Sequence, residues 1–499
     1  MQTNIYKKIF RDISVIGIAN LLSILNGLII IPIITKILGV EDYGLYVQFT
    51  VTLSLITSFT ILGLPYTTVR FLAGEKDEDI IKDDIYSTFA LIFVCSIIAS
   101  SLLLLASDQL SEALFGGFKG LVILIALLIP IESLSGSLQN IFRVFQKIKS
   151  YTLIIIIKTY AETLASASVV LLGYGILEVA IAIVFIRTVI LLGLIVIITR
   201  SIGLKRPTFR RMGEYLRFGL PTVPSMVASW ITNSSDRFVI SFLLGVAYVG
   251  YYNPGYMLGS LIQVFMTPVD FVLVAVIAKI YEEKNIDLLR DIFKYSVKYF
   301  LMIATPAFFG VSILSKPILT TLTTPEIAEQ SYMVTPFIAF SMILTGIGGV
   351  ALGKSLYLAK RTDITMYNWI LVAVVNLFLN VLLVPRMGIN GAALATMMAF
   401  VSGFVFGGYY AIKYFKFEID WISITKTLIS SLVMSAAVIW RYPTNLMELI
   451  QVIFLGVIIY VVSMAAMKAL TPQEMAFMRS AICPKKGACA ADLIKERGS

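Results

Sequence analysis

"LGVEDYGLY" stands at residues 38–46 and "LGVAYVGYY" at residues 244–252, with Leu, Gly, Val, Gly and Tyr kept in register. Each phrase closes one long apolar run and opens another. A mostly hydrophobic chain that repeats itself at such a distance is built from two copies of one unit. What surrounds the phrase says what kind of unit it is.

Of the 499 residues 58% are hydrophobic and 14% charged, and mean hydropathy is +0.89. Globular domains carry about 45–50% apolar and about 25% charged residues. The composition is that of a polytopic membrane protein, in which ~20 apolar residues span the hydrocarbon core as helix. Lipid offers the backbone no hydrogen-bond partners, so an all-α chain is expected. Barrel strands alternate polar and apolar residues, and runs such as "GLIIIPIITKILG" (27–39) do not.

The apolar runs predict fourteen spans: 13–35, 45–64, 85–106, 119–141, 151–172, 177–199, 219–243, 247–278, 293–315, 331–355, 364–384, 388–412, 422–440 and 446–467. Span 247–278 is long, and Pro268 is the expected break within it. The first run exceeds the ~7–15 residues of a signal-peptide core and has no small-residue cleavage site after it.

Basic residues set the orientation, because cytoplasmic loops are enriched in Lys and Arg. Lys7, Lys8 and Arg11 precede the first span, and loops after even-numbered spans carry Arg70, Lys82, Arg143, Lys147, Lys205, Arg210, Arg211, Arg217, Lys360 and Arg361. Loops after odd-numbered spans show little beyond Lys36, Lys316, Arg386 and Arg441. A multi-pass protein of the cell membrane is expected, with both termini cytoplasmic. The net charge of +10 is this anchoring pattern, not a nucleic-acid surface.

The repeated phrase links spans 1 and 2, then spans 7 and 8. A second echo, "GILEVAIA" (175–182) and "GINGAALA" (388–395), opens spans 6 and 12. Two six-helix lobes follow, related by a pseudo-twofold along the membrane normal, with two C-terminal helices added. The expected divisions are an N-lobe (1–199), a basic cytoplasmic linker (200–218), a C-lobe (219–412), helices 13–14 (413–468) and a cytoplasmic tail (469–499). Such lobes meet at a central cavity and rock to alternate its access. Within the phrase, Gly39, Gly44, Gly245 and Gly250 suit a tight turn. Tyr43, Tyr46, Tyr248, Tyr251 and Tyr252 suit an aromatic belt at the membrane surface.

With "ILGVEDYGLY" (37–46), the chain carries "LGLPYTTVRFLAG" (62–74), "FGLPTVPSMVASWITNSSDRFVISFLLG" (218–245) and "PRMGINGAALAT" (385–396). In this order and spacing it resembles the polysaccharide-export (O-antigen type) flippases of the multidrug/oligosaccharidyl-lipid/polysaccharide exporter superfamily, over its whole length. The resemblance implies twelve to fourteen helices in two lobes and translocation of polyprenyl-diphosphate-linked oligosaccharide from the inner to the outer leaflet. It implies a lipid-linked oligosaccharide and membrane lipids as partners, with other polysaccharide-assembly proteins alongside, and a monomer as the working unit.

Moving such a headgroup through hydrocarbon unaided costs from several to tens of kcal/mol, roughly, so a polar cavity is required. Charged residues inside spans are its candidates. They are Glu132, Lys158, Glu162, Arg187, Asp236, Arg237, Asp270 and Lys354. Lys158 and Glu162 stand four apart, as in a self-neutralising pair. Lys354, near a cytoplasmic helix end, either binds substrate or snorkels outward. Arg187 has no acid one turn away, so it faces water, an anion or a partner helix; an anion is the expectation. In "NSSDRF" (233–238), Asn233, Ser234 and Ser235 suit sugar hydroxyls and Arg237 suits phosphate. A helix break held by buried polar bonds is the alternative. Asp236, Asp270, Glu132 and Glu162 are the candidates for a coupling ion, H⁺ or Na⁺. Asp270 and Glu132 follow Pro268 and Pro130, where a broken helix would free backbone groups.

"GGVALGKS" (348–355) fits the phosphate-loop pattern, but it lies in an apolar helical run where that loop needs a preceding strand. Gly349 and Gly353 are instead spaced for close helix packing. The chain has no His and three Cys (Cys95, Cys483 and Cys489), too few for a four-ligand zinc site. No cofactor, metal or catalytic residue is expected, and the chain reads as a transporter rather than an enzyme. A cation-coupled multidrug antiporter of the same superfamily is the near alternative. A membrane glycosyltransferase or ligase is the distant one, disfavoured by short outer loops.

Overall fold

A computed structural model describes residues 22, 26–72, 74–266, 273, 277, 280–281 and 285–469. Among them helix is the only regular element, as a lipid environment demands. Asp270, Pro268, the N-terminal arm and the tail from residue 470 lie outside the described residues.

The helices are α1 (Asn26–Ile37), α2 (Val40–Thr60), α3 (Leu64–Leu72), α4 (Glu78–Leu105), α5 (Ser107–Leu114), α6 (Lys119–Val144), α7 (Ile148–Leu171), α8 (Ile176–Ile202), α9 (Met212–Gly219), α10 (Val223–Leu244) and α11 (Val246–Ser260). After them come α12 (Ile286–Ile313), α13 (Ser315–Leu322), α14 (Pro325–Ser331), α15 (Val334–Leu358), α16 (Thr362–Tyr414), α17 (Trp421–Trp440) and α18 (Leu446–Ala466). Nine described helices are long and apolar enough to cross a membrane, or ten if α2 and α3, bent by 51°, form one span.

The 53 residues of α16 would reach ~80 Å as one rod, far beyond the ~30 Å hydrocarbon core. Gly388, at φ 60° and ψ −142°, folds it into two arms. They run antiparallel: Gly403 packs on Val372, Gly407 on Asn368, and Asn376 Nδ2 donates to Thr396 Oγ1 at 3.1 Å. These arms are the predicted spans 364–384 and 388–412.

The repeated phrase is helical where a turn was expected. Gly39 (φ 95°) and Gly245 (φ 102°) make the turns; α2 and α11 begin at the next residue. Gly44 and Gly250 serve close approach instead. A Cβ on Gly44 would sit 2.1 Å from the Val246 carbonyl oxygen, and one on Gly250 would sit 2.1 Å from that of Val40. Val40 and Val246 stand at the same offset as the two glycines, so the copies exchange contacts reciprocally, as twofold-related units do. The belt reading also needs correction. Tyr43 and Tyr252 are fully buried, and Tyr46 stacks on Tyr43. Only Tyr248 is well exposed, at 43%, and Tyr251 donates to Glu326.

α11 ends at Ser260 and a turn follows at residues 261–262, inside the eighth span; the expected break at Pro268 lies outside the described residues. Two further expectations change. α6 passes through Pro130 unbroken, which leaves Glu132 on continuous helix. α10 likewise runs unbroken through residues 233–238. Residues 348–355 lie in helix α15, with a π turn at Gly348–Leu352 and no strand before it.

In the first half α6 packs against α4, α7 and α8; in the second α16 packs against α10 and α15, and α12 against α15 and α17. α2 crosses between the halves to α10 and α11. The basic linker is strapped to the first half rather than loose. Asp83 accepts from the Thr208 amide (2.8 Å) and hydroxyl (2.6 Å), and Tyr215 donates to Asp84 at 2.8 Å. Arg211 reaches Glu75 at 3.3 Å and Asp84 at 3.1 Å.

Candidate substrate cavity

Where α2, α10 and α11 converge, a cavity of about 600 Å³ opens, lined by Asn26, Tyr43, Tyr46, Thr50, Asn233, Ser234, Arg237, Asn253 and Tyr256 among others. Its walls come from both copies of the repeat. The α2 side supplies tyrosines; the α10 and α11 side supplies amides, hydroxyls and the guanidinium. Asn253 Nδ2 donates to Tyr43 Oη at 2.8 Å across the two halves.

Arg237 is 5% exposed and held from several directions. It donates to the Asp236 carboxylate at 2.8 Å, the Asn233 carbonyl at 2.7 Å and Asn253 Oδ1 at 3.2 Å. Its guanidinium lies 3.8 Å from the ring centroid of Tyr256, a cation–π contact, and Tyr252 donates to the other oxygen of Asp236. Arg237 Nε and Asn26 Oδ1, both buried, have no partner among the described residues. Orphaned buried polar groups are costly and mark places where a ligand supplies the missing bond.

Asn233 and Ser234 line the cavity, whereas Ser235 turns away and donates to Asn376 Oδ1 of α16 at 3.1 Å. Asp236 pairs with its neighbour Arg237 and not with Arg187. Arg187 sits elsewhere. Its Nε and Nη2 donate to Glu162 at 2.9 and 3.0 Å, and its Nη1 donates to Glu132 at 3.1 Å. Lys158 donates to Glu132 at 2.6 Å, not to Glu162 one turn along. Glu132, Lys158, Glu162 and Arg187 thus form one neutral quartet joining α6, α7 and α8, and none of the four lines the cavity. Lys354 lines a second cavity of about 650 Å³ between α10, α15 and α16.

Tyr43, Asn253 and Tyr256 were missed from sequence. The available signal was an amide beside Pro254 inside an apolar span, with Tyr256 three residues on along the same face.

Residues 221–382 match the MatE family, and residues 9–281, over half of the chain, match the family described as polysaccharide biosynthesis protein. The chain is 24% identical over 265 residues to the probable low-salt glycan biosynthesis flippase Agl15 of Haloferax volcanii, covering 52% of this chain and 56% of that protein. It is 27% identical over 212 residues to the probable lipid II flippase MurJ of Thermotoga maritima, covering 40% and 42%. It therefore spans about half the length of the curated relatives it matches. A solved lipid II flippase MurJ in an inward closed conformation superposes with TM-score 0.77 at 18% identity, over 90% of this chain and 97% of that one. An inward-facing multidrug MATE transporter superposes with TM-score 0.66 at 16% identity, over 79% and 95%. These structures share the fold. On the extent of the family match, this multi-pass membrane protein belongs to the polysaccharide biosynthesis protein family.

Proposed function

We propose that the chain is a flippase that moves a polyprenyl-diphosphate-linked oligosaccharide from the cytoplasmic to the outer leaflet by alternating access. The observation that supports it best is Arg237: a guanidinium at the wall of an interlobe cavity, backed by Tyr256, with an Nε–H lacking a partner. A planar cation of this kind suits a diphosphate. Asn233, Ser234 and Asn253 suit sugar hydroxyls, while the lipid tail stays in the bilayer.

Asp236 makes the grip adjustable. Paired with Arg237 it weakens the hold on phosphate; protonated or ion-bound, it releases the guanidinium, which would couple flipping to an H⁺ or Na⁺ gradient. Arg187 is read as structural here, because two carboxylates already satisfy it. The basic loops face the cytoplasm in this reading, and the working unit is a monomer in the cell membrane.

Binding by the purified protein tests the proposal. It should retain a polyprenyl-diphosphate oligosaccharide and release the same oligosaccharide lacking the diphosphate lipid, with Arg237→Ala reducing the amount retained. Equal retention of both would sink it.

A further inference from the structure

Away from the central cavity, a pocket of about 300 Å³ opens at the end of the molecule that carries the basic loops, lined by Pro65, Tyr66, Val69, Arg70, Arg143 and Phe218. We propose that this pocket binds the phosphate group of a membrane lipid, with Arg70 and Arg143 as its two ligands.

The pocket is built by the bend in the second span. Leu62 (φ 50°) and Gly63 (φ 69°) turn α3 by 51° away from α2. There is room for this because Gly63 and Gly219 touch; a Cβ on Gly63 would lie 2.4 Å from the Gly219 carbonyl oxygen. The bend lays α3 on α6 and α9. Arg70 in the last turn of α3 and Arg143 in the last turn of α6 then share one hollow, roofed by Phe218.

Both arginines are oriented and neither is neutralised. The Arg70 guanidinium lies 4.6 Å from the Phe218 ring centroid; Arg143 lies 5.7 Å from that of Tyr151 and donates to Asn140 at 3.1 Å. Among the described residues no carboxylate pairs with either. Their neighbours differ: Arg211 holds Glu75 and Asp84, Lys205 holds Asp79, and Lys82 holds Glu78. Arg206 and Arg210 are exposed but stand outside the pocket walls. Two guanidiniums left open over one hollow, each positioned by an aromatic ring, suit a phosphate oxyanion bound by paired N–H groups. The volume is at the low end of the ~300–1,000 Å³ typical of ligand clefts, enough for a headgroup. Tyr66, 67% exposed, and Pro65 form an apolar rim along which a lipid chain leaves.

The class of lipid rests on the function proposed above; the phosphate chemistry does not. The same group is offered by the diphosphate of a lipid-linked substrate waiting to enter and by an ordinary anionic phospholipid. The test is native mass spectrometry of the full chain in detergent, titrated with undecaprenyl diphosphate, dioleoyl phosphatidylglycerol or undecaprenol, on an Arg237→Ala background that removes the central site. One phosphate-bearing lipid should still bind, and Arg70→Gln with Arg143→Gln should weaken it about 100-fold, roughly tenfold per charge-assisted contact. Undecaprenol binding should not change. Preference for the diphosphate identifies an entry subsite; equal affinity for phosphatidylglycerol identifies a structural lipid site; both support the assignment. The Arg70→Lys, Arg143→Lys pair keeps the charges, controls for folding and should recover part of the affinity. Unchanged affinity for both phosphate lipids in the Gln pair, or no binding on the Arg237→Ala background, overturns it.

Discussion

Gly44 and Gly250 meet backbone to backbone, each too close to the other helix to carry a side chain: Gly44 Cα would place a Cβ 3.1 Å from the Gly250 amide nitrogen, and the reverse distance is also 3.1 Å. Tyr43, Tyr46 and Asn253, which line the cavity, stand within three residues of this seam. Overpacking such a contact costs about 1–3 kcal/mol. Gly44→Ala should therefore shift the lobes toward seam-open states. The check is reactivity of a cysteine placed at Asn253, in a chain whose own cysteines are replaced, toward a membrane-impermeant maleimide. Faster labelling in the Gly44→Ala chain is expected, and unchanged labelling would show that the seam does not gate the cavity.

Gly388 is the hairpin of α16, in a backbone region essentially restricted to glycine. Gly388→Ala should lower the unfolding midpoint in detergent, with a cost of ~1–3 kcal/mol. Gly348 is the internal control. It has helical geometry (φ −55°) and open space where a Cβ would go, so Gly348→Ala should be near neutral.

The quartet of Glu132, Lys158, Glu162 and Arg187 predicts a pattern of rescue. Arg187→Ala leaves two carboxylates facing one Lys and should destabilise by ~3–5 kcal/mol, the cost of breaking a largely buried pair. Adding Glu162→Ala restores charge balance and should recover much of the thermal stability. If the double variant is no more stable than the single one, Arg187 acts by something other than pairing.

Asp420 caps α17 from outside the membrane-spanning helices. Burial pushes its carboxyl up, but the Ser423 hydroxyl (2.7 Å), the Ser423 amide (3.0 Å) and Lys298 (3.3 Å) outweigh this and hold it below the usual 3.8. A depressed folded value means a contribution present at neutral pH and lost as pH falls through that value. Thermal stability should drop on acidification below about pH 4. Asp420→Asn, still a competent cap, should show a shallower acid limb. Identical limbs would contradict the assignment.

The all-α class, the apolar spans that the structure describes and the repeated phrase were legible because apolar runs and a shared phrase are local features of sequence. The role of the repeat's glycines was not. Gly39 and Gly44 look alike in a string, yet one supplies a positive φ and the other a missing Cβ, and only the packed helices distinguish them. The same limit explains the charges. Lys158 and Glu162 look like a pair at helical spacing, but Glu132 and Arg187, far along the chain, compete for them across helices. Arg70 and Arg143 registered only as orientation signals, since nothing local shows that a bend at Gly63 sets them over one pocket.

The central claim is that Arg237 grips a lipid diphosphate while the lobes exchange access. Its most direct test is translocation of a fluorescent polyprenyl-diphosphate oligosaccharide in sealed proteoliposomes, followed with a quencher confined to one face. The wild-type chain should move the lipid across the bilayer, Arg237→Ala should abolish movement with the protein still inserted, and Arg237→Lys should restore only part, because a point charge replaces a planar fork. Translocation at the wild-type rate by Arg237→Ala, or export of cationic dyes with no movement of the lipid, would contradict the account.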